Sequence, residues 1–159
     1  MFKVMFARLT DSAIIPTKKY KGDVGFDIYS VEEIRILPNG FGVVKTGIIC
    51  MFPDDLLLRI LAKSKSNYII GAGVIEPNYQ GELLVKIFNP ISATLHIEKG
   101  VAIAQLVFFL NPDVEAEEVY IKDIHRNKTD RGASGGIVEQ LPTPSKPDLS
   151  VSNAWAGHL

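Results

Sequence analysis

Punctuation is the feature that most restricts how this chain can fold. Short apolar runs alternate with turn-forming clusters, and a 3.6-residue helical period is weak throughout. The clusters are Lys21-Gly22-Asp23, Pro38-Asn39-Gly40, Pro53-Asp54-Asp55, Gln80-Gly81, Asn89-Pro90, Lys99-Gly100 and Asn111-Pro112-Asp113. Glycine reaches positive φ, proline presets φ, and Asn and Asp side chains bond to their own backbone, so each cluster turns the chain for a physical reason. Between them the spacing predicts strands at Lys3–Leu9, Phe26–Ser30, Glu33–Leu37, Gly42–Cys50, Leu56–Ala62, Gly73–Glu76, Leu83–Phe88, Leu95–Ile97, Ala102–Phe109 and Glu118–Ile124. The last of these also fits a helix, but Val119 and Ile121 alternate as a strand requires. Short strands about 8–12 residues apart point to an all-β sandwich or barrel.

Length and composition narrow the possibilities further. A chain of 159 residues, 47% of them hydrophobic, buries a real core and is not intrinsically disordered. The net charge of −1 supplies no broad positive field, so nucleic acid is not an expected partner. No apolar stretch reaches the ~18 residues of a membrane span. The longest, Val101 to Leu110, is interrupted by Gln105, and Met1–Leu9 has no signal-peptide core. A lone cysteine, Cys50, sits in the apolar run Gly47–Phe52. It forms no intrachain disulfide and reads as a small buried hydrophobe, which favours a reducing, cytoplasmic setting.

Composition also divides the chain. Residues 1–126 read as the β-barrel domain and 127–139 as a glycine-rich mobile arm. Residues 140–159 read as a flexible tail carrying Pro142, Pro144 and Pro147. Trp155, the only tryptophan, is either an anchor on a neighbouring subunit or an aromatic in a solvated end.

Several generic motifs lack the context that would give them chemistry. Gly132-Ala-Ser-Gly-Gly136 matches a nucleophile elbow, but polar coil precedes it where a strand is required. It is not a phosphate-binding P-loop either, because no Gly-Lys-Ser/Thr follows. His96, His125 and His158 lack metal-ligand spacing. Lys18-Lys19-Tyr20-Lys21 reads as a solvated basic loop. More informative is Gln105, an amide inside Ala102–Phe109. Unpaired, it would cost roughly 1–3 kcal/mol, so it is either a satisfied core amide or a ligand contact. Gly71 and Gly73 allow close backbone approach, and Glu76 to Gly81 forms a tight turn with a carboxylate and an aromatic ring.

Taken in order, these segments resemble the five motifs of the trimeric dUTPase family. The first is Val24-Gly-Phe-Asp-Ile28 and the second Ala62-Lys-Ser-Lys-Ser66. The third is Gly73-Val-Ile-Glu-Pro-Asn-Tyr-Gln-Gly-Glu82, and the fourth Lys99-Gly-Val-Ala-Ile-Ala-Gln-Leu106. Arg131-Gly-Ala-Ser-Gly135 resembles the start of the fifth. The match spans about residues 3 to 136; the third and fourth motifs are the specific ones.

The resemblance implies a distorted jelly-roll barrel, a homotrimer with active sites at subunit interfaces, and cleavage of dUTP to dUMP and pyrophosphate. It implies water attack on the α-phosphorus, with Mg²⁺ held by the triphosphate and water rather than directly by protein ligands. By position it makes Glu76 the general base and Tyr79 the ring that stacks on the deoxyribose. The backbone at Ile70, Gly73, Val74, Ile75 and Leu84 would read uracil. Lys63, Ser64, Lys65 and Gln105 would hold the phosphates. Arg131 would clamp the terminal phosphate, and Asp27 would support the basic residue or the metal's water shell.

The chain departs from the family pattern at named places. Glu76 stands where Asp is usual and Lys63 where Arg is usual, and Lys lacks the bidentate fork. Ser64 and Glu76 lie 12 positions apart, a short spacing for the family. Val101 and Ala102 replace Asp and Arg, and the fifth motif lacks its aromatic. Two other readings stay open: a non-catalytic dUTP-binding or regulatory protein of the same fold, and a dCTP deaminase. The second requires a carboxylate where Lys86 stands.

Overall fold

A computed structural model of the chain describes residues 1–71, 73–120 and 123. The runs between turns become β1 (Met5–Arg8), β2 (Phe26–Tyr29), β3 (Ile34–Ile36), β4 (Phe41–Val44), β5 (Ile48–Met51) and β6 (Leu56–Leu61). They continue as β7 (Ile69–Ile70), β8 (Val74–Ile75), β9 (Val85–Phe88), β10 (Leu95–Ile97) and β11 (Ala102–Leu110). All pairings between these strands are antiparallel, in the orders β1-β5, β10-β3, β2-β11-β6-β8 and β4-β9-β7. The all-β expectation therefore holds, and the architecture is of the jelly-roll type.

Strand periodicity explains where the core sits. On β6, Leu56, Leu58 and Ile60 point inward, and on β9 Val85 and Ile87 are buried while Lys86 and Phe88 face out. Side chains two apart share a face, so alternation alone sorts them. Ile28, Ile48, Leu58, Leu83, Ile87, Ile103 and Leu106 are fully buried. Each contributes roughly 1.5–3 kcal/mol by leaving water. Asn89, also fully buried, donates through Nδ2 to the Ile36 and Ala93 carbonyls, each at 2.9 Å. It thus ties two loops together from within, beyond the turn its Asn-Pro pair announces. Among the described residues no buried side-chain polar atom lacks a partner.

Three expectations about strands need correcting. Gly42–Cys50 is not one strand: it breaks between Val44 and Ile48. At the break Gly47 has φ +65°, and a Cβ there would lie 2.8 Å from that of Ala13. The corner therefore needs glycine both for its backbone and for space. Ile69–Ile70 forms a strand that its short apolar run did not announce. Glu118–Tyr120 is not extended in any ladder, and the remainder of the strand expected at Glu118–Ile124 lies, Asp123 aside, outside the described residues.

Met1–Val114 forms one compact unit and Glu115–Leu159 a second. Of the second, only 115–120 and 123 are described, so Arg131, Trp155, the arm 127–139 and the tail 140–159 lie outside the described residues.

Candidate active site

The first group of site residues is carried by paired strands. On the shared sheet Asp27 of β2 pairs with Gln105 of β11, which pairs with Leu61 of β6. Directly opposite residues present their side chains on one face. Two residues past β6, the Lys63 amine forms a hydrogen-bonded ion pair with Asp27 Oδ1, both side chains being largely shielded at 29% and 22% exposure. Ser64 and Lys65 are exposed in the turn that follows, closed by a 2.9 Å bond from Ser66 N–H to the Lys63 carbonyl. The first, second and fourth motifs thus converge in space.

The sequence leaves Gln105 as either a satisfied core amide or a ligand contact. It is only partly buried, and its Nε2 donates to the Ala62 carbonyl at 3.0 Å. Its Oε1 faces Gly25, where a Cβ would sit 2.7 Å away. The fold therefore satisfies the donor, and the oxygen is directed at a position only glycine leaves open.

The second group lies on a turn. β8 pairs with β6 (Val74 with Arg59, Ile75 with Leu58), and the Gly73 carbonyl accepts from Ile60 N–H at 3.1 Å. Gly73 has φ +146°, a region side chains rarely enter, so the close approach anticipated at this glycine is to β6. Ile70 belongs elsewhere: β7 pairs with β9, and Gly71 N–H donates to the Lys86 carbonyl at 2.9 Å. The stretch Ile70–Ile75, to which the resemblance assigns uracil, thus sends its two ends to different sheets. Between them lies a pocket of about 380 Å³ bordered by Ile60, Tyr68, Ile70, Gly73 and Val74. Leu84, just before β9, is exposed.

After β8 the chain turns at Glu76, closed by a 3.1 Å bond from Tyr79 N–H to the Glu76 carbonyl. Glu76 is exposed, and no hydrogen-bond or ion-pair partner for its carboxylate occurs among the described residues. It shares a pocket of about 470 Å³ with Val74, Tyr79 and Gly81. A larger concavity, about 720 Å³, lies against Met5, Phe6, Cys50 and Met51 and also touches Tyr79. It contains neither Glu76 nor any cation from the first group. Burial pushes the Cys50 thiol up to about 11, consistent with a packing residue and not a nucleophile.

Tyr79 is not free-standing. Its hydroxyl donates to the Glu82 carbonyl at 3.0 Å, and its ring end lies against Gly81, where a Cβ would fall 2.4 Å from the hydroxyl. Glu82 Oε1 accepts from the N–H groups of Thr46 and Gly47 at 3.0 and 2.7 Å. Sequence reasoning assigned no role to Glu82; its place in the third motif is the one signal it offers.

A family profile described as dUTPase matches residues 11–135. The chain belongs to the dUTPase family. Among curated dUTPase relatives, the deoxyuridine 5'-triphosphate nucleotidohydrolase of Clostridioides difficile is 33% identical over 85% of this chain and 99% of its own length. That of fowlpox virus is 36% identical over 85% and 95%. Among solved structures, an Asp-to-Asn mutant of the Staphylococcus bacteriophage 80alpha dUTPase with dUpNHpp aligns at TM-score 0.70 and 24% identity, covering 74% of this chain and 96% of that one. The phage phi11 dUTPase, which coordinates a structural Mg(II) ion, aligns at TM-score 0.69 and 23% identity. These structural likenesses establish the dUTPase fold; the family rests on the sequence matches.

Proposed function

We propose that this chain hydrolyses dUTP to dUMP and pyrophosphate, with Glu76 as general base, at sites completed by a second copy of the chain. The observation that carries the shared site is a separation. Glu76 follows Ile75, which pairs with Leu58 towards one end of β6, whereas Lys63 follows the other end and Asp27 lies two strands across from β6. At ~3.3 Å per residue and ~4.8 Å per strand, Glu76 lies roughly 15–20 Å from Gln105 and Asp27 in one chain. A base must lie within hydrogen-bond reach of its water, so it cannot serve an α-phosphorus held by these residues of the same chain. Exposed Phe41, Val43, Ile69 and Phe88 on the β4-β9-β7 sheet supply apolar surface suited to self-association, and the homotrimer of the resemblance is the assembly we favour.

In this reading Tyr79 packs on the deoxyribose and excludes a 2′-hydroxyl. The backbone about Ile70, Gly73, Val74, Ile75 and Leu84 reads uracil. Lys63, Ser64, Lys65 and Gln105 of the neighbouring copy hold the phosphates, with Arg131 closing on the terminal one. The Glu76 carboxylate takes a proton from the attacking water as its oxygen bonds to the α-phosphorus. The bond to the bridging oxygen breaks, and pyrophosphate leaves with that electron pair. Lys63 and nearby N–H groups offset the charge growing on the phosphate oxygens.

The residues fit a Mg²⁺ carried by the substrate. No cluster of three or more His, Cys, Asp or Glu able to cage a metal occurs among the described residues, and Asp27 is engaged with Lys63. Mg²⁺ binds through one or two carboxylates, waters and substrate phosphates, so Asp27 would meet it through water. When bound, the ion supplies charge neutralisation to the triphosphate. The deaminase reading loses ground, because Lys86 is an exposed cation over the Phe41 ring at 4.9 Å. No helix among the described residues is long and apolar enough to cross a membrane, and we place the enzyme in a reducing compartment.

Subunit mixing tests the shared site. Glu76→Gln and Lys63→Met chains should each be inactive alone. Refolded together in equal amounts, they should regain about one quarter of the wild-type sites. Silence in the mixture, with wild type active, would place both groups in one chain. Tight dUTP binding by the wild type without pyrophosphate release would leave only the binding-protein reading.

A further inference from the structure

The sugar filter has a support that the motifs do not assign, and we infer that Glu82 is the residue that positions Tyr79. This rests on the dUTPase reading above. Tyr79 is 41% exposed, so packing alone does not hold it. Two contacts define where it stands. Its hydroxyl donates to the Glu82 carbonyl at 3.0 Å, and its ring end closes on the bare Cα of Gly81. The position of that carbonyl depends in turn on what fixes residue 82.

The Glu82 carboxylate fixes it. One oxygen, Oε1, takes two backbone donors, from Thr46 at 3.0 Å and Gly47 at 2.7 Å. These lie at the corner between β4 and β5, which is itself rigid. Thr46 is fully buried and its hydroxyl donates to the Leu83 carbonyl at 2.6 Å, while Leu83 N–H donates to the Ile48 carbonyl at 2.8 Å. Charge-assisted bonds from a carboxylate to backbone N–H groups are about twice as strong as neutral ones. An exposed turn is thereby anchored, through one carboxylate, to a corner whose threonine is fully buried. Because Tyr79 N–H also bonds to the Glu76 carbonyl, the anchor reaches Glu76, three residues before the filter, as well.

Glu82 touches no substrate in this arrangement. It acts through Tyr79, so its loss should appear first in sugar discrimination, the property Tyr79 carries. Rates of pyrophosphate release from dUTP and UTP, with kcat and KM separated, should be measured for wild type, Glu82→Ala, Glu82→Gln, Tyr79→Phe and the Glu82→Ala/Tyr79→Phe pair, beside each melting temperature. Glu82→Ala should lower the dUTP-to-UTP ratio of kcat/KM about tenfold, mostly through a raised KM for dUTP. Glu82→Gln, whose amide oxygen still accepts both N–H groups, should recover most of the ratio. Tyr79→Phe keeps the ring but cuts the tie, so it should lower the ratio in the same direction. The pair should be no worse than Glu82→Ala, because both break one chain of contacts. A melting temperature that falls while the ratio stays at the wild-type value would overturn the inference, as would an unchanged ratio in Tyr79→Phe. A wild type that releases no pyrophosphate from dUTP would instead remove the reading beneath it.

Discussion

The two halves of the candidate site are built in opposite ways. Asp27 and Gln105 stand on paired strands and Lys63 just beyond one, each with a partner in the fold. Glu76 and Tyr79 stand on an exposed turn, and the Glu76 carboxylate has no partner among the described residues. The strand-borne group is preorganised before any ligand arrives, so its charge needs little rearrangement to meet a phosphate. The turn-borne group keeps its carboxylate unengaged, as the proposed role of general base requires. The proposed reaction would use this division, with rigidity where charge is gripped and availability where a proton moves.

The sharpest way to break this contrast is at the turn. Glu76→Gln should lower pyrophosphate release from dUTP by about 10²–10⁴-fold while leaving dUTP affinity, read by calorimetry, within a few fold. A loss of affinity instead would make Glu76 a binding group like those on the strands. Next comes Lys63→Met, which should cost about 10²–10³-fold in kcat/KM by removing a cation from the transition state. Lys63→Arg should retain most of the activity and sharpen the comparison, since the family usually has Arg there.

Asp27→Asn removes the partner and not the cation. It should lower kcat/KM by roughly tenfold, through a Lys63 free to leave its position, and steady-state kinetics over salt concentration would show it. An effect as large as that of Lys63→Met would mean that Asp27 itself meets the substrate or its metal.

The smallest effect belongs to a pair outside both halves. The His96 ring beside Glu33, at 2.7 Å, and then Arg35, hold the Glu33 carboxyl below its ordinary value of 4.5. A depressed folded-state value adds stability above the unfolded value and loses it as pH falls through the folded one. Wild type should therefore melt slightly above Glu33→Gln at about pH 5–6, and the gap should close as pH drops below about 4. Thermal melts across that range check it, and pyrophosphate release at about pH 7 should be the same in both.

Particular residues show how far the sequence reached. The apolar runs Leu56–Leu61 and Val85–Phe88 announced strands, but which residues of each are buried came from the structure, where every second side chain turns inward. The corner at Gly47 was missed inside an apolar run, since its cause is the Cβ of Ala13, 34 positions earlier in the chain. Gln105 was legible as an amide that must be satisfied, but not that the Ala62 carbonyl satisfies it. Glu82 was legible only as a letter of the third motif, because its partners at Thr46 and Gly47 come from a different strand connection.

Propensity, periodicity and charge are local properties, so the β class, the order of motifs and the chemical type at each position were legible in the residues alone. Only the tertiary structure decided which of those groups meet. Strand pairing joined Asp27, Lys63 and Gln105 and set Glu76 at the far end of β6. That distance is long-range geometry, fixed by register between strands that are remote in the chain, and it is the ground on which we propose that a second copy completes the site.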